Sequence, residues 1–533
     1  MKLRVAVSVA MTASAVFAKT LTVGPIAGNA TPHVAAAVMA MEDGDTLLFK
    51  KGEYHFDVDG AHNEYVVSSG CQNGDKRVVF SLRGKKDVTI DGGGSTFIWH
   101  GRTFPFHCAH CPGLVLRNFE SAIAGHSVVE PVVTEKSPEG FLCKFADPKC
   151  YSVQSGNIVF DLEIGRFTTA ERKISVHALD RCNINYLFAG DSTCPKVNLP
   201  ASFVETDAED RGDGCVFFRY RKGSVPFPYG VGSPIGFLLE IPRFRCTLFI
   251  EHCHGATVRN VSVRRGGGIA LTAQCCNGLT LDGFNVRPYS GEKVANTADC
   301  IFLVNCRGQV VVKDCEISWS LDDAMNCHGN YFKIESVRGR TARVRHILQR
   351  DLAYEGFFPF HAGDVVEFTH PGSRADVLGT AVVESLQDCS ATSNSATLTF
   401  KDDVSKLPAG TYVENITWIP NVTVTGCHFH DTLHLRLSGR GNWIVENNRF
   451  SRGAGVLVED LSSYWGEAGR TENMKIRNNV FNRFNSMGGG AFVTVSGQKI
   501  HRGIEVIDNH YSGGNFLSLN GAIDPVARGN VKE

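Results

Sequence analysis

Three aspartates define the chemistry open to this chain. Asp322 and Asp323 are adjacent in SWSLDDAMNCHG, and Asp299 lies 23 residues before Asp322, in NTADCIFLVNCRG. The same interval of 23 separates two copies of a weak repeat, Thr257–Val263 and Thr280–Val286. In a coiled β-solenoid, residues one repeat apart stack on neighbouring rungs about 4.8 Å apart. The three carboxylates are therefore expected to converge on one patch. Crowded carboxylates repel, so one tends to hold a proton while another stays ionised. Glycoside hydrolysis needs that division of labour: a carboxylic acid protonates the leaving oxygen and a carboxylate activates water. Neighbours in a regular strand point to opposite faces. Asp322 and Asp323 can share a face only at a bend, which Asn326, His328 and Gly329 just downstream would supply. The rival use of three clustered carboxylates is a calcium site; the reading here is acid–base catalysis with no metal and no cofactor.

Other side chains could complete such a site. His328 could orient a substrate hydroxyl or cap the bend. Arg436 and Arg440, in HLRLSGRG, could fork to sugar hydroxyls or balance the acidic cluster, or lie on the surface. Glu459, Asp460, Tyr464, Trp465 and Glu467 occupy VEDLSSYWGEAG, an acidic loop whose aromatic rings could carry the apolar face of a pyranose. Arg102 and His107, in HGRTFPFH, are weaker candidates. No serine nucleophile elbow, P-loop, HExxH or dinucleotide fingerprint is present, and Gly92–Ser95 reads as a bend in a coil.

The elements that would position these residues follow from the repeat. Seven-residue copies read TVRNVSV, TLDGFNV, VVKDCEI (Val311–Ile317), TVTGCHF (Thr423–Phe429), IVENNRF (Ile444–Phe450), KIRNNVF (Lys475–Phe481) and EVIDNHY (Glu505–Tyr511), with degenerate copies at Thr89–Ser95 and Val115–Ser121. Short alternating strands broken by Asn, Asp and Gly at such steps predict a parallel β-helix, although a sandwich or propeller would have similar composition. Asn and Gly suit bends that need left-handed backbone. The fold expected is all-β: a right-handed parallel β-helix with two inserted small β domains. Residues 19–125 read as a cap and the first coils, 126–242 as an inserted β domain, and 243–329 as coils bearing the aspartates. Residues 330–418 read as a second, barrel-like insertion and 419–533 as the C-terminal coils.

The remaining features bound the partners. Lys and Arg number 54 against 55 Asp and Glu in 533 residues, so neither nucleic acid nor a membrane surface is implied. Residues 1–18 have a basic start, a short apolar run and small residues at Val16 and Ala18, the pattern of a cleaved signal; a secreted or periplasmic location is expected. Of 18 cysteines, Cys253, Cys276, Cys306, Cys315 and Cys427 fall where they can face the coil interior. Cys143 and Cys150 are the more natural disulfide pair, and the CAHC run from Cys108 to Cys111 lacks the second half of a zinc site.

Taken together, IDGGGSTFIWHGRTFPF, NTADCIFLVNCRGQVVVKDCEI, SLDDAMNCHGNYFKI, ENITWIPNVTVTGCHF and the YWGEAG loop give a chain that resembles the α-1,3-galactosidases of glycoside hydrolase family one hundred and ten. That family is similar to polygalacturonases in its β-helix and aspartate trio, and acts with inversion. The resemblance implies that Asp299, Asp322 and Asp323 are catalytic, with His328, Arg436, Trp465, Glu467 and Arg102 as substrate-binding candidates. It also implies an oligosaccharide or glycoconjugate ending in α-1,3-linked galactose, such as the blood group B determinant, as substrate. For inversion, at least one carboxyl pair of the trio should stand about 6.5–9.5 Å apart. The alternatives are another β-helix carbohydrase, either a polygalacturonase-like hydrolase or a lyase, and a non-catalytic glycan-binding solenoid.

Overall fold

The computed structural model describes residues 18–125, 128–163, 165–168, 175–180, 183–185, 206–221, 230–232, 235–238, 244–347, 356–460, 465–482 and 491–533. Residues 1–17 of the expected signal segment, and Tyr464, lie outside them.

The repeat builds the coil through its fourth position. Asn118, Asn260, Asp314, Asn447, Asn478 and Asp508 have φ of 60°, 52°, 55°, 57°, 54° and 53°, and Gly283 and Gly426 occupy the same region. Asn and Asp tolerate this left-handed conformation better than other side chains, because they can hydrogen-bond locally. Each such residue bends the strand, and the next residue turns inward. In the C-terminal coils that inward position forms a ladder. Cys427 N donates to Asn448 Oδ1 (2.9 Å), Asn448 N to Asn479 Oδ1 (3.0 Å) and Asn479 N to Asn509 Oδ1 (3.0 Å). The amides also donate to the carbonyls of Val424, Val445 and Ile476, so these buried polar groups are satisfied. The seventh position stacks rings, Phe429 on Phe450 at 5.3 Å and Phe450 on Phe481 at 4.6 Å.

The result is a right-handed parallel β-helix. One sheet carries the aspartates' coils, with strands in register Ile301↔Met325↔Leu435↔Val456. Its inward residues, among them Leu271, Ile301, Leu303, Met325 and Cys327, join the main apolar core, together with Cys253, Cys276, Cys306, Cys315 and Cys427. The chain is not wholly β: a helix at Thr31–Ala40 buries Val34 and Val38 against the first coils. Among the described residues no helix is long and apolar enough to cross a membrane.

Both insertions leave the coil between adjacent rungs, so stacking continues across them. Phe106 pairs directly with Leu248, and Val115 with Thr257, on either side of the first. Its described part consists of small antiparallel sheets around Val133, Phe141, Phe160, Val216 and Phe237. Cys143 points into this core while Cys150 packs at its edge, and both are free thiols, so the expected disulfide between them is not formed. Cys108 and Cys111 are likewise buried in the coil interior, where Cys111 N donates to Cys253 Sγ at 3.3 Å. Across the second insertion Gln309 pairs with Asn421 and Asn326 with Arg436. Here the strand Met325–Arg338 runs out of the coil, and with 341–346, 395–400, 373–390, 365–370 and 412–415 it closes an antiparallel barrel.

Candidate active site

Asp299 ends the loop before the strand Ile301–Val304, and Asp323 ends the bend before Met325–Arg338 on the next rung. Cys300 N donates to Asp323 O at 3.0 Å, which fixes the register of the two approaches. The Cys300 thiol faces the core, so the residue after Asp299 does not intrude on the carboxylates. The bend that brings Asp322 to the same side lies upstream of the position expected. Trp319 takes φ of 55°, Asp322 N donates to Ser320 Oγ (3.2 Å), Asp323 N donates to Asp322 Oδ1 (3.0 Å), and Thr432 Oγ1 holds Asp322 O (3.2 Å). Asn326 and His328 instead stand two apart in a regular strand, and so project from one face.

One carboxylate oxygen from each of Asp299, Asp322 and Asp323 lies within 4.8 Å of the others. Neighbouring rungs and a local bend set this close approach of the nearest oxygens. Burial pushes Asp323 up to about 7, with Arg436 pulling down and Asp322 pushing further up. Arg436 Nε donates to Asp323 Oδ2 at 3.0 Å and its Nη1 to Glu459 Oε2 at 2.8 Å. Burial works against the Arg436 cation, and Asp323, Glu467 and Glu459 more than offset it, so its pKa is raised.

Glu467 approaches from the other side. Its Oε1 accepts from Asn326 Nδ2 at 3.2 Å and stands 3.7 Å from His328 Nε2. His328 Nδ1 lies 2.6 Å from Gly329 O, and Phe302 meets the ring edge-on at 5.3 Å. Asp323 Oδ1, Asn326 Oδ1 and His328 Nε2 are buried and have no hydrogen-bond partner among the described residues. Buried polar atoms left open cost roughly 1–3 kcal/mol each. Three of them belong to residues at or beside the carboxylate trio, which marks this stretch as a candidate binding site.

The structure sorts the remaining candidates. Arg436, Glu459, Glu467 and His328 come together with the trio. Trp465 is half-buried two residues before Glu467. Arg440 turns away to Glu367 and Glu414 in the inserted barrel. Arg102 is not brought to the trio: its strand, Thr103–Ala109, is three ladder steps from Ile301–Val304, and its guanidinium lies over Phe244. His107 sits on that same early strand between Glu64 and Glu251. Asn326 is the contact that sequence reasoning took for a turn residue; its alternation with His328 was the available signal.

A family model, the right handed beta helix region, matches residues 384–531. Alpha-1,3-galactosidase A of Shewanella woodyi is 26% identical over 507 residues, covering 90% of this chain and 78% of that protein. Alpha-1,3-galactosidase B of Bacteroides thetaiotaomicron is 25% identical, covering 85% and 73%. The chain is a homologue of these α-1,3-galactosidases. Coverage of this extent leaves neither insertion wholly outside the match. An exopolygalacturonase of Yersinia enterocolitica is similar at a TM-score of 0.37 and 10% identity, over 97% of this chain and 75% of that one, a likeness too slight to argue from.

Proposed function

We propose that this protein is an exported glycoside hydrolase that removes terminal α-1,3-linked galactose from oligosaccharides or glycoconjugates, the blood group B determinant among them. The observation that carries the reading is the trio of carboxylate oxygens within 4.8 Å, in a homologue of α-1,3-galactosidases. Asp323, pushed up to about 7, is the group suited to deliver a proton to the glycosidic oxygen at neutral pH. A second carboxylate of the trio activates water. Asn326 Oδ1 and His328 Nε2, buried and without a hydrogen-bond partner among the described residues, are the proposed contacts for sugar hydroxyls, and Trp465 is the proposed apolar wall. Arg436 is already engaged by Asp323 and Glu459, which leaves it poorly placed to bind the carboxylate of a uronate. That favours a neutral sugar over polygalacturonate. Inversion rests on the family likeness. The test is a panel of α- and β-linked galactosides and uronides. Free galactose from the group B trisaccharide, with polygalacturonate uncut, is the expected outcome; the reverse pattern overturns the substrate.

The same three oxygens could instead hold a divalent cation, as a calcium-dependent lyase would require. Dialysis against a chelator is expected to leave activity unchanged, because acid–base hydrolysis needs no cation. Loss of activity restored by calcium would make the aspartates ligands.

A further inference from the structure

The loop that delivers Glu467 is held by the inserted barrel. Residues 467–468 pair antiparallel with the strand leaving the coil, Glu467 opposite Asn330 and Ala468 opposite Gly329. Tyr331 N donates to Gly466 O at 2.7 Å. Where that strand enters the barrel, Tyr331 pairs with Glu414. The Glu414 carboxylate lies against the backbone of Gly469, so closely that a Cβ there would come within 2.1 Å of Oε1. Glu414 is 2% exposed and accepts from Arg440 Nη2 at 2.7 Å. Arg440 also forks to Glu367, at 2.9 and 2.6 Å, and Glu367 stands 3.8 Å from Arg470 of the same loop. On its far side the loop is tied to the coil, Thr471 Oγ1 donating to Leu437 O at 3.4 Å.

We propose that Glu414 is a positioning residue for Glu467, so that the inserted barrel forms part of the active-site scaffold; this rests on reading the trio as a glycosidase centre. Glu414 touches none of the trio. It acts by fixing Gly469 and Arg440, and thereby the side chain two residues earlier that meets Asn326 and His328. A buried two-carboxylate, two-arginine network is a costly way merely to attach a domain. Its placement against the loop that carries Glu467 gives it a purpose.

The test is a double-mutant cycle on galactose release from an α-1,3-galactoside, using Glu414→Gln, Glu467→Gln and both together. Glu414→Gln is expected to lower kcat/KM about tenfold to a hundredfold, as misplacement of a distant group does. The double variant is expected to be no slower than Glu467→Gln alone. Losses that multiply, or an unchanged rate in Glu414→Gln, overturn the proposal. If Glu414→Gln does not fold, Gly469→Ala presses on the carboxylate without removing a charge, and the same cycle applies. Thermal melts by circular dichroism confirm that each variant is folded at assay temperature. No galactose from the wild-type chain would overturn the glycosidase reading and this proposal with it; galactose from the wild type with multiplying losses would overturn the proposal alone.

Discussion

Two buried charge clusters occupy the outer face of one sheet and are wired in opposite ways. At the early coils His107 lies 2.6 Å from Glu64 Oε2 and 2.8 Å from Glu251 Oε1, so both ring nitrogens are used. Glu251 also accepts from Gln274 at 2.9 Å, and Glu64 from Ser81. At the later coils Asp323 uses one oxygen on Arg436 and leaves the other open, as do the adjoining Asn326 and His328. An apolar cluster that includes Phe249, Phe302 and Trp418 borders both charge clusters. Each histidine abuts it, His107 on Phe249 at 5.1 Å and His328 on Phe302 at 5.3 Å. Each charge cluster sets a buried histidine beside carboxylates; saturation differs. A closed cluster stabilises the fold, whereas an open one bears an energetic cost that a ligand can relieve.

The largest effect expected from this contrast is at the open cluster. Asp299→Asn or Asp322→Asn should lower kcat at least about a hundredfold with the circular dichroism spectrum unchanged. Near-normal rates from both would leave the trio without a role. Next, Arg436→Gln should cost about tenfold in kcat/KM and alter the pH profile. Activity that needs protonated Asp323 is lost as pH rises through about 7. Arg436 holds that value down, so its removal should move the basic limb to higher pH; a shift to lower pH would contradict the assignment.

At the closed cluster the effect should be on stability alone. His107→Gln breaks a buried pair and should cost about 3 kcal/mol, while kcat/KM stays within about threefold. Burial lowers the His107 pKa, but Glu251 and Glu64 reverse this and raise it; the two carboxylates are lowered by His107 against their own burial. The histidine's contribution is complete below its ordinary value of 6.5 and fades as pH rises through its folded pKa. That of the carboxylates is present above their ordinary 4.5 and fades as pH falls through their folded pKa. The difference in Tm between wild type and His107→Gln should therefore be widest between those two values and shrink as pH rises through the folded pKa of His107. A gap independent of pH would mean that packing, not charge, holds the cluster.

Much of the open cluster was legible because its cause is local. The 23-residue interval, the Asp322–Asp323 pair and the Asn or Gly at each bend are short-range signals of rung spacing. Arg436 and Glu467 stood out as charged residues near the later repeats. What sequence could not display was long-range pairing. HGRTFPFH stood as a weaker candidate than HLRLSGRG, and only the arrival of Glu64 and Glu251, the latter 144 residues away, closes His107 off. Arg440 was grouped with Arg436, four residues earlier, yet its partners come from two strands of the inserted barrel. The bend was placed downstream of Asp323 because Asn326, His328 and Gly329 are turn formers. Pairing with Ile301–Val304 and Leu435–Leu437 overrides that preference and keeps them in a strand.

The most direct test is a proton NMR time course of the group B trisaccharide with wild type and Asp323→Asn side by side. The account predicts free galactose from the wild type, appearing first as the β anomer, and release at least about a hundredfold slower from the folded variant. Equal rates from the two proteins, or a wild type that leaves the trisaccharide intact while shortening polygalacturonate, would contradict it.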